Sequence, residues 1–145
     1  MPKPATFKVK LAGGGQVSAV DYAAPKARAR LVLAHGAGAN QTHPFMVRVA
    51  TGLSLRGVET TTFNFSYTEQ GRRAPDPAPK LEACFRDVLT AVRARSGRGP
   101  LFLGGKSMGG RMASHLAASP ELLDGPIGGL VFLGYPAVEK VLTGF

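Results

Sequence analysis

Acidic residues are scarce in this chain: 9 Asp and Glu face 18 Lys and Arg, a formal net charge of +9 over 145 residues. Such an excess suits a nucleic acid, an anionic surface or an anionic substrate. The basic residues are dispersed, however, and the densest groups are Lys26-Arg28-Arg30, Arg72-Arg73 and Arg93-Arg95-Arg98, near expected loops and helix ends. No aromatic residues alternate with them as a base-stacking platform requires, so a solvated basic surface is expected and nucleic-acid binding is not. Cysteine is nearly absent. The single Cys84 excludes an internal disulfide and a cysteine-based zinc site. Beside Phe85 and Val88, with no histidine or cationic cluster adjacent in sequence, it reads as buried filler rather than a reactive thiol. No apolar run approaches the ~20 residues of a membrane span. Met1-Pro2-Lys3-Pro4 leads into no apolar h-region, so neither a membrane span nor a signal peptide is expected, and a cytoplasmic protein is.

What is present is an ordinary globular composition, 44% hydrophobic and 19% charged, enough for one domain with a real core. Phe7–Leu11 alternates apolar and basic, Gly13-Gly14-Gly15 makes a turn, and Val17–Tyr22 alternates again, which predicts a β-hairpin. Leu31–Ala34 is a continuous apolar run, the mark of a strand buried on both faces of a parallel sheet. A helix is predicted from His43-Pro44 to Arg56, with Phe45, Val49 and Leu53 on its apolar face and Gly57 as its stop. Val58–Phe65 reads as a strand. Ser66 to Pro79 is a long polar stretch with Pro75, Pro77 and Pro79, expected to be a disordered connection rather than a mobile lip over a site. Leu81, Phe85, Val88, Leu89 and Val92 mark an amphipathic helix. Pro100–Leu103 is a buried strand, Met108–Ala118 a helix broken at Pro120, and Ile127–Leu133 a last strand ending at Gly134-Tyr135-Pro136. Strands alternating with helices predict an α/β fold with a mostly parallel sheet flanked by helices.

Two glycine-rich segments follow buried strands. In Gly104-Gly105-Lys106-Ser107-Met108-Gly109-Gly110, the pattern Gly105-x-Ser107-x-Gly109 fits a nucleophile elbow, where a sharp strand-to-helix turn exposes a serine hydroxyl. Glycines two residues before and after the serine leave room for that strained turn. Ser107 is the candidate nucleophile, and the Met108 N–H, at the start of a helix, is a candidate donor to the oxyanion formed when a carbonyl is attacked. His35-Gly36-Ala37-Gly38, after the earlier strand, resembles an oxyanion loop of the HGGG type, with Ala37 and Gly38 as candidate second donors. The two segments in this order are far more specific than either alone.

A phosphate loop is the rival, since Gly105-Lys106-Ser107 matches the end of its motif. Its first glycine falls on Pro100, with Gly99 one residue out of register, and Leu101-Phe102-Leu103 reads as strand where the phosphate cradle must be loop. His35 is expected to orient the oxyanion loop rather than act as base, and His43 to start a helix. His115 is eight residues beyond Ser107 on the same predicted helix, about 12 Å along its axis. Asp124 lies at the wrong end of the last strand, and Asp21, Asp76 and Asp87 precede the elbow. Lys106 suits an anionic substrate or is merely solvated; nothing in the sequence decides between these. No metal site is indicated.

These segments, with Phe63-Asn64-Phe65-Ser66-Tyr67 and Phe132-Leu133-Gly134-Tyr135-Pro136, resemble the α/β-hydrolase superfamily. Within it they are similar to the dienelactone-hydrolase-like branch and its small bacterial hydrolases related to testis-expressed protein 30. The resemblance runs from about Leu31 onward. It implies a cofactor-free serine hydrolase of small acyl compounds, such as carboxylic esters, with Ser107 as nucleophile, although some relatives are complex subunits. It also implies further strand–helix units that bring the acid and the histidine. At ~30 residues per unit, roughly 60 residues of that pattern are missing here. The chain is therefore expected to be one C-terminally truncated hydrolase domain, weak or inactive as it stands. The alternative is a non-catalytic binding or scaffold subunit, self-associating through an exposed apolar sheet edge.

Overall fold

The computed structural model describes residues 3–95 and 97–134. The N-terminal alternation folds as a hairpin: β1 (Ala5–Lys10) pairs antiparallel with β2 (Gln16–Tyr22), Val9 opposite Val17. Gly14 and Gly15 turn the chain with φ of 107° and 79°. The apolar run around Leu31 becomes β3 (Ala29–Ala34), which is flanked by β4 (Val58–Phe63) and β5 (Leu101–Lys106) and parallel to both. β6 (Gly129–Leu133) pairs parallel with β5, and β2 joins β4 antiparallel. The result is a six-stranded, mostly parallel sheet in the order β1-β2-β4-β3-β5-β6.

Helices cover both faces, and the residues of β3 divide between them. Leu31 and Leu33 pack with Met46 of α1 (Pro44–Leu55) on one side. Val32 and Ala34 join the larger cluster on the other, under α3 (Ala78–Ala94) and α4 (Met108–Ala117). All four are at most 3% exposed, as a strand sandwiched between helical layers requires. Phe63, Phe65 and Phe85 anchor the larger cluster with ring centroids 5.0 to 6.3 Å apart, each contributing about 1.5–3 kcal/mol by burial. The loops after β3, β4 and β5 all leave from the carboxyl ends of the parallel strands, where open α/β sheets place their sites.

Several elements depart from the pattern-based boundaries. Met46, Ala50 and Ser54 form the buried row of α1, while Phe45, Val49 and Leu53 are only partly buried. The fully buried row thus lies one residue on from the predicted one, and Phe45, Val49 and Leu53 pack against the same cluster at its edge. Ser54 Oγ donates to the Ala23 carbonyl at 2.7 Å. β4 ends at Phe63, and the supposed disordered connection begins with a short helix, α2 (Ser66–Glu69). α3 starts at Ala78, with Pro79 in its first turn, where the missing proline N–H costs nothing. β5 runs on to Lys106, its glycines paired between β3 and β6. The Tyr135-Pro136 end of the predicted last strand lies outside the described residues.

Part of the basic excess is structural rather than simply solvated. Arg28 donates to the Arg56 carbonyl at 2.8 Å, and Arg30 to that of Val92 at 3.1 Å. Arg93 donates to those of Leu123 and Pro126 at 3.0 and 2.8 Å. Arg95 lies 4.0 Å over the Phe7 ring. No helix among the described residues is long and apolar enough to cross a membrane.

Candidate active site

Ser107 sits between β5 and α4 at φ 51° and ψ −112°, one of two non-glycine residues with positive φ among those described. A serine held there costs about 1–3 kcal/mol and persists only where its surroundings enforce it. Its amide donates to the Leu133 carbonyl at the end of β6 at 3.1 Å, and its carbonyl accepts from Arg111 at 3.1 Å. Close backbone packing holds the turn on either side. A Cβ on Gly105 would collide with the backbone of Gly109 and Gly110, and one on Gly109 with the Ala34 carbonyl. Serine at a helix N-terminus ordinarily caps the helix with its hydroxyl. Ser107 forms no such bond, which leaves Oγ for the cleft.

That cleft is a cavity of about 280 Å³ lined by Ser107, Met108, Arg111 and Met112 from the elbow helix, with Ala37 from the loop after β3. Its remaining wall is Pro75, Asp76, Ala78 and Leu81. Met108 opens α4, so its N–H is one of the first-turn amides that have no carbonyl one turn back. The loop after β3 presses on the elbow: a Cβ at Gly36 would lie 3.2 Å from the Lys106 carbonyl and 3.6 Å from Ser107 Cβ. Gly38, with φ 74°, lines a neighbouring cavity with Tyr67, Thr68 and Arg72 instead. Of the predicted donors, Met108 and Ala37 therefore share a cavity with Ser107, and Gly38 does not.

The histidines are placed away from proton transfer. His35 is fully buried; its Nδ1 lies 2.8 Å from the Gly36 carbonyl and its Nε2 accepts from the Phe65 amide at 3.2 Å. These partners define a neutral ring, protonated at Nδ1. Burial pushes its pKa below the usual range, with the Gly36 bond opposing more weakly. It thus ties the loop after β3 to the end of β4 and stacks edge-on against Phe65 and Tyr67. His43 caps α1, accepting from Phe45 N–H at 3.1 Å. His115 faces Glu82 of α3 at 3.6 Å. The Cys84 thiol is buried and its pKa pushed up to about 12, mainly by desolvation. The phosphate-loop alternative fails on backbone grounds, since Leu101–Lys106 is paired strand.

One residue that chain order seemed to exclude does reach the cavity. Asp76 precedes the elbow in sequence, yet it is buried to 7% exposure and lines the same cavity as Ser107. Its only sequence signal was an acid amid prolines ahead of a helix. Among the described residues no three His, Cys, Asp or Glu side chains group as a metal site would require.

Comparison with known proteins accords with this architecture. The chain is similar to an α/β serine hydrolase without a lid from Xanthomonas campestris, at 20% identity and a TM-score of 0.77 over 95% of this chain and 64% of that one. A serine hydrolase homologue from Coxiella burnetii is similar at 16% identity and a TM-score of 0.77, over 99% and 68%. A dienelactone hydrolase from Anabaena variabilis is similar at 18% and 0.76, over 90% and 62%. The chain thus spans about two thirds of the length of these structures. The search of curated proteins finds no match. A family model described as an alpha/beta hydrolase domain matches residues 27–140, a span that takes in both glycine-rich loops and the four strands β3 to β6, and the chain accordingly belongs to the α/β hydrolase family.

Proposed function

We propose that this chain is the nucleophile-bearing part of a serine hydrolase domain acting on carboxylic esters or related acyl compounds. The observation that carries this reading is Ser107 at positive φ, its hydroxyl unused as a cap, in one cavity with Met108 and Ala37. Ser107 Oγ attacks the acyl carbon, the alcohol leaves, and water then releases the acid. The developing oxyanion takes hydrogen bonds from the Met108 and Ala37 amides, with modest help from the α4 dipole. No cofactor enters this scheme. Because no described histidine lines the Ser107 cavity, the chain alone is weak or inactive, retaining what an oxyanion hole supplies without its base.

Incubation with a fluorophosphonate and with p-nitrophenyl butyrate tests this. Slow labelling at Ser107, abolished in Ser107→Ala, with very weak turnover, is the expected result. Labelling unchanged in Ser107→Ala would overturn the assignment of the nucleophile, and rapid labelling with turnover would overturn the inactivity. A second reading, a scaffold subunit that self-associates, draws on β6, which pairs only with β5 among the described residues and leaves Phe132 43% exposed. It predicts concentration-dependent oligomers in sedimentation and no loss of function in Ser107→Ala; a stable monomer counts against it.

A further inference from the structure

We propose that Arg111 selects substrates that carry a carboxylate or phosphate on an otherwise apolar body, by pairing its guanidinium with that anion in the Ser107 cavity. This rests on the hydrolase reading above. Most arginines of the fold are already occupied. Arg28, Arg30, Arg56 and Arg93 donate to backbone carbonyls, Arg72 and Arg86 pair with carboxylates, and Arg95 lies over Phe7. The Arg111 side chain is exposed and has no hydrogen bond or ion pair among the described residues. Only its backbone is used, the amide donating to the Ser107 carbonyl and the carbonyl accepting from Ser114 Oγ. A structural tether therefore does not account for this guanidinium. Arg111 stands about one helical turn beyond the nucleophile, roughly 6 Å along the axis, and lines the same cavity as Ser107.

The rest of the lining defines the ligand. Met108, Met112, Pro75, Ala78 and Leu81 are apolar, and Asp76 is the one other charged residue of the wall among those described. Asp76 does little to repel an anion. Its side chain is 4% exposed, and its Oδ1 accepts from Arg72 at 3.1 Å and lies 3.8 Å from Lys80 Nζ. The cavity thus offers apolar surface and a single charge within reach of solvent. The planar fork of donors on that guanidinium matches the oxygens of a carboxylate or a phosphate. A ligand ammonium meets it as a like charge, and a neutral end leaves the charge unpaired. The net charge of +9 draws anions toward the whole surface, so the distinguishing feature is dependence on this one side chain.

The test uses matched ethyl p-nitrophenyl alkylphosphonates with chains of two to five carbons, ending in carboxylate, phosphate or the neutral carboxamide. Ser107 Oγ bonds to phosphorus, p-nitrophenolate leaves, the serine proton passes to solvent, and intact mass follows the adduct. In the wild-type chain an anionic end of at least one length is expected to label Ser107 about fivefold faster than the carboxamide, the upper end for an ion pair within reach of solvent. That ratio is expected to shrink as salt is raised, and to fall to near one in Arg111→Gln. Lys26→Gln, which removes an exposed charge in the connection before β3, is expected to keep it. The faster of the two anions identifies the source of the negative charge. A ratio near one for both anions at every length, with Ser107 still labelled, overturns the role of Arg111 and leaves the hydrolase reading standing. A preference that persists in Arg111→Gln, or that Lys26→Gln abolishes equally, also overturns it. Failure of every probe to label Ser107 overturns the nucleophile assignment, and this proposal with it. The wild-type ratio and its salt dependence stand whether or not the variants fold.

Discussion

Replacing Gly109 by alanine adds one methyl group at one of the tightest junctions around Ser107. The new Cβ would lie 2.7 Å from the Ala34 carbonyl carbon and 2.7 Å from the His35 oxygen, closer than such contacts are tolerated. Neither neighbour is the end of a flexible side chain. Both belong to the backbone where β3 passes into the His35 loop, itself pinned by His35 to Phe65. Relief therefore requires moving α4 off β3, which opens the contact of Met112 and Leu116 with the core. Overpacking of a core costs about 1–3 kcal/mol where side chains can yield. With backbone on both sides, the upper end, about 3 kcal/mol, is expected. For a chain of this size that corresponds to a fall in Tm of roughly 10 °C. Urea unfolding followed by circular dichroism measures the change, with Gly13→Ala as control because nothing lies within 4 Å of a Cβ there. A loss below about 1 kcal/mol for Gly109→Ala, or one equal to the control, would refute the claim that close packing of α4 on β3 holds the elbow.

Ser107→Gly should raise stability by about 1 kcal/mol, since glycine accepts the positive φ at Ser107 that costs serine energy; Ser107→Ala keeps the strain, and equal melting temperatures for the two would contradict this. Asp21 has its pKa raised from 3.8 to about 6, first by burial and then by the Glu59 carboxylate. Its folded-state pKa lies above the unfolded one, so its contribution is complete below pH 3.8 and is lost as pH rises through about 6. Asp21→Asn is therefore expected to be more favourable to stability above pH 6 than below pH 4, as thermal melts across that range would show. Cys84, buried and with its pKa near 12, should react with a thiol reagent only as fast as the protein unfolds; rapid modification of native protein at neutral pH would show the thiol to be accessible.

Much of this site was legible locally. The elbow announces itself because a serine forced to positive φ needs small neighbours at fixed offsets, and Gly105 and Gly109 occupy those offsets. The apolar run at Leu31–Ala34 marks a strand covered on both faces, and Gly57 ends α1 with φ 86° because only glycine takes that conformation freely. Such features depend on a few consecutive residues, so composition and spacing suffice to find them. The apolar row Phe45, Val49 and Leu53 does pack against the core, but Met46, Ala50 and Ser54 lie deeper, since the crossing of helix and sheet, not periodicity alone, decides which side chains are fully covered. The burial of His35 and its bond to Phe65 required β3 and β4 to be neighbours.

What the sequence alone determined, then, is the order of the longer strands and helices, the sharp turn at Ser107 and the glycine-rich loop after β3, all set by local sterics and hydrophobic pattern. The tertiary structure decided the rest. It seats Ala37 but not Gly38 beside Ser107, turns arginines from surface charge into tethers of carbonyls, and brings Asp76 into the cavity ahead of its place in the chain. Parallel crossovers gather distant loops at one end of the sheet, and no property of the residues between Asp76 and Ser107 records that meeting.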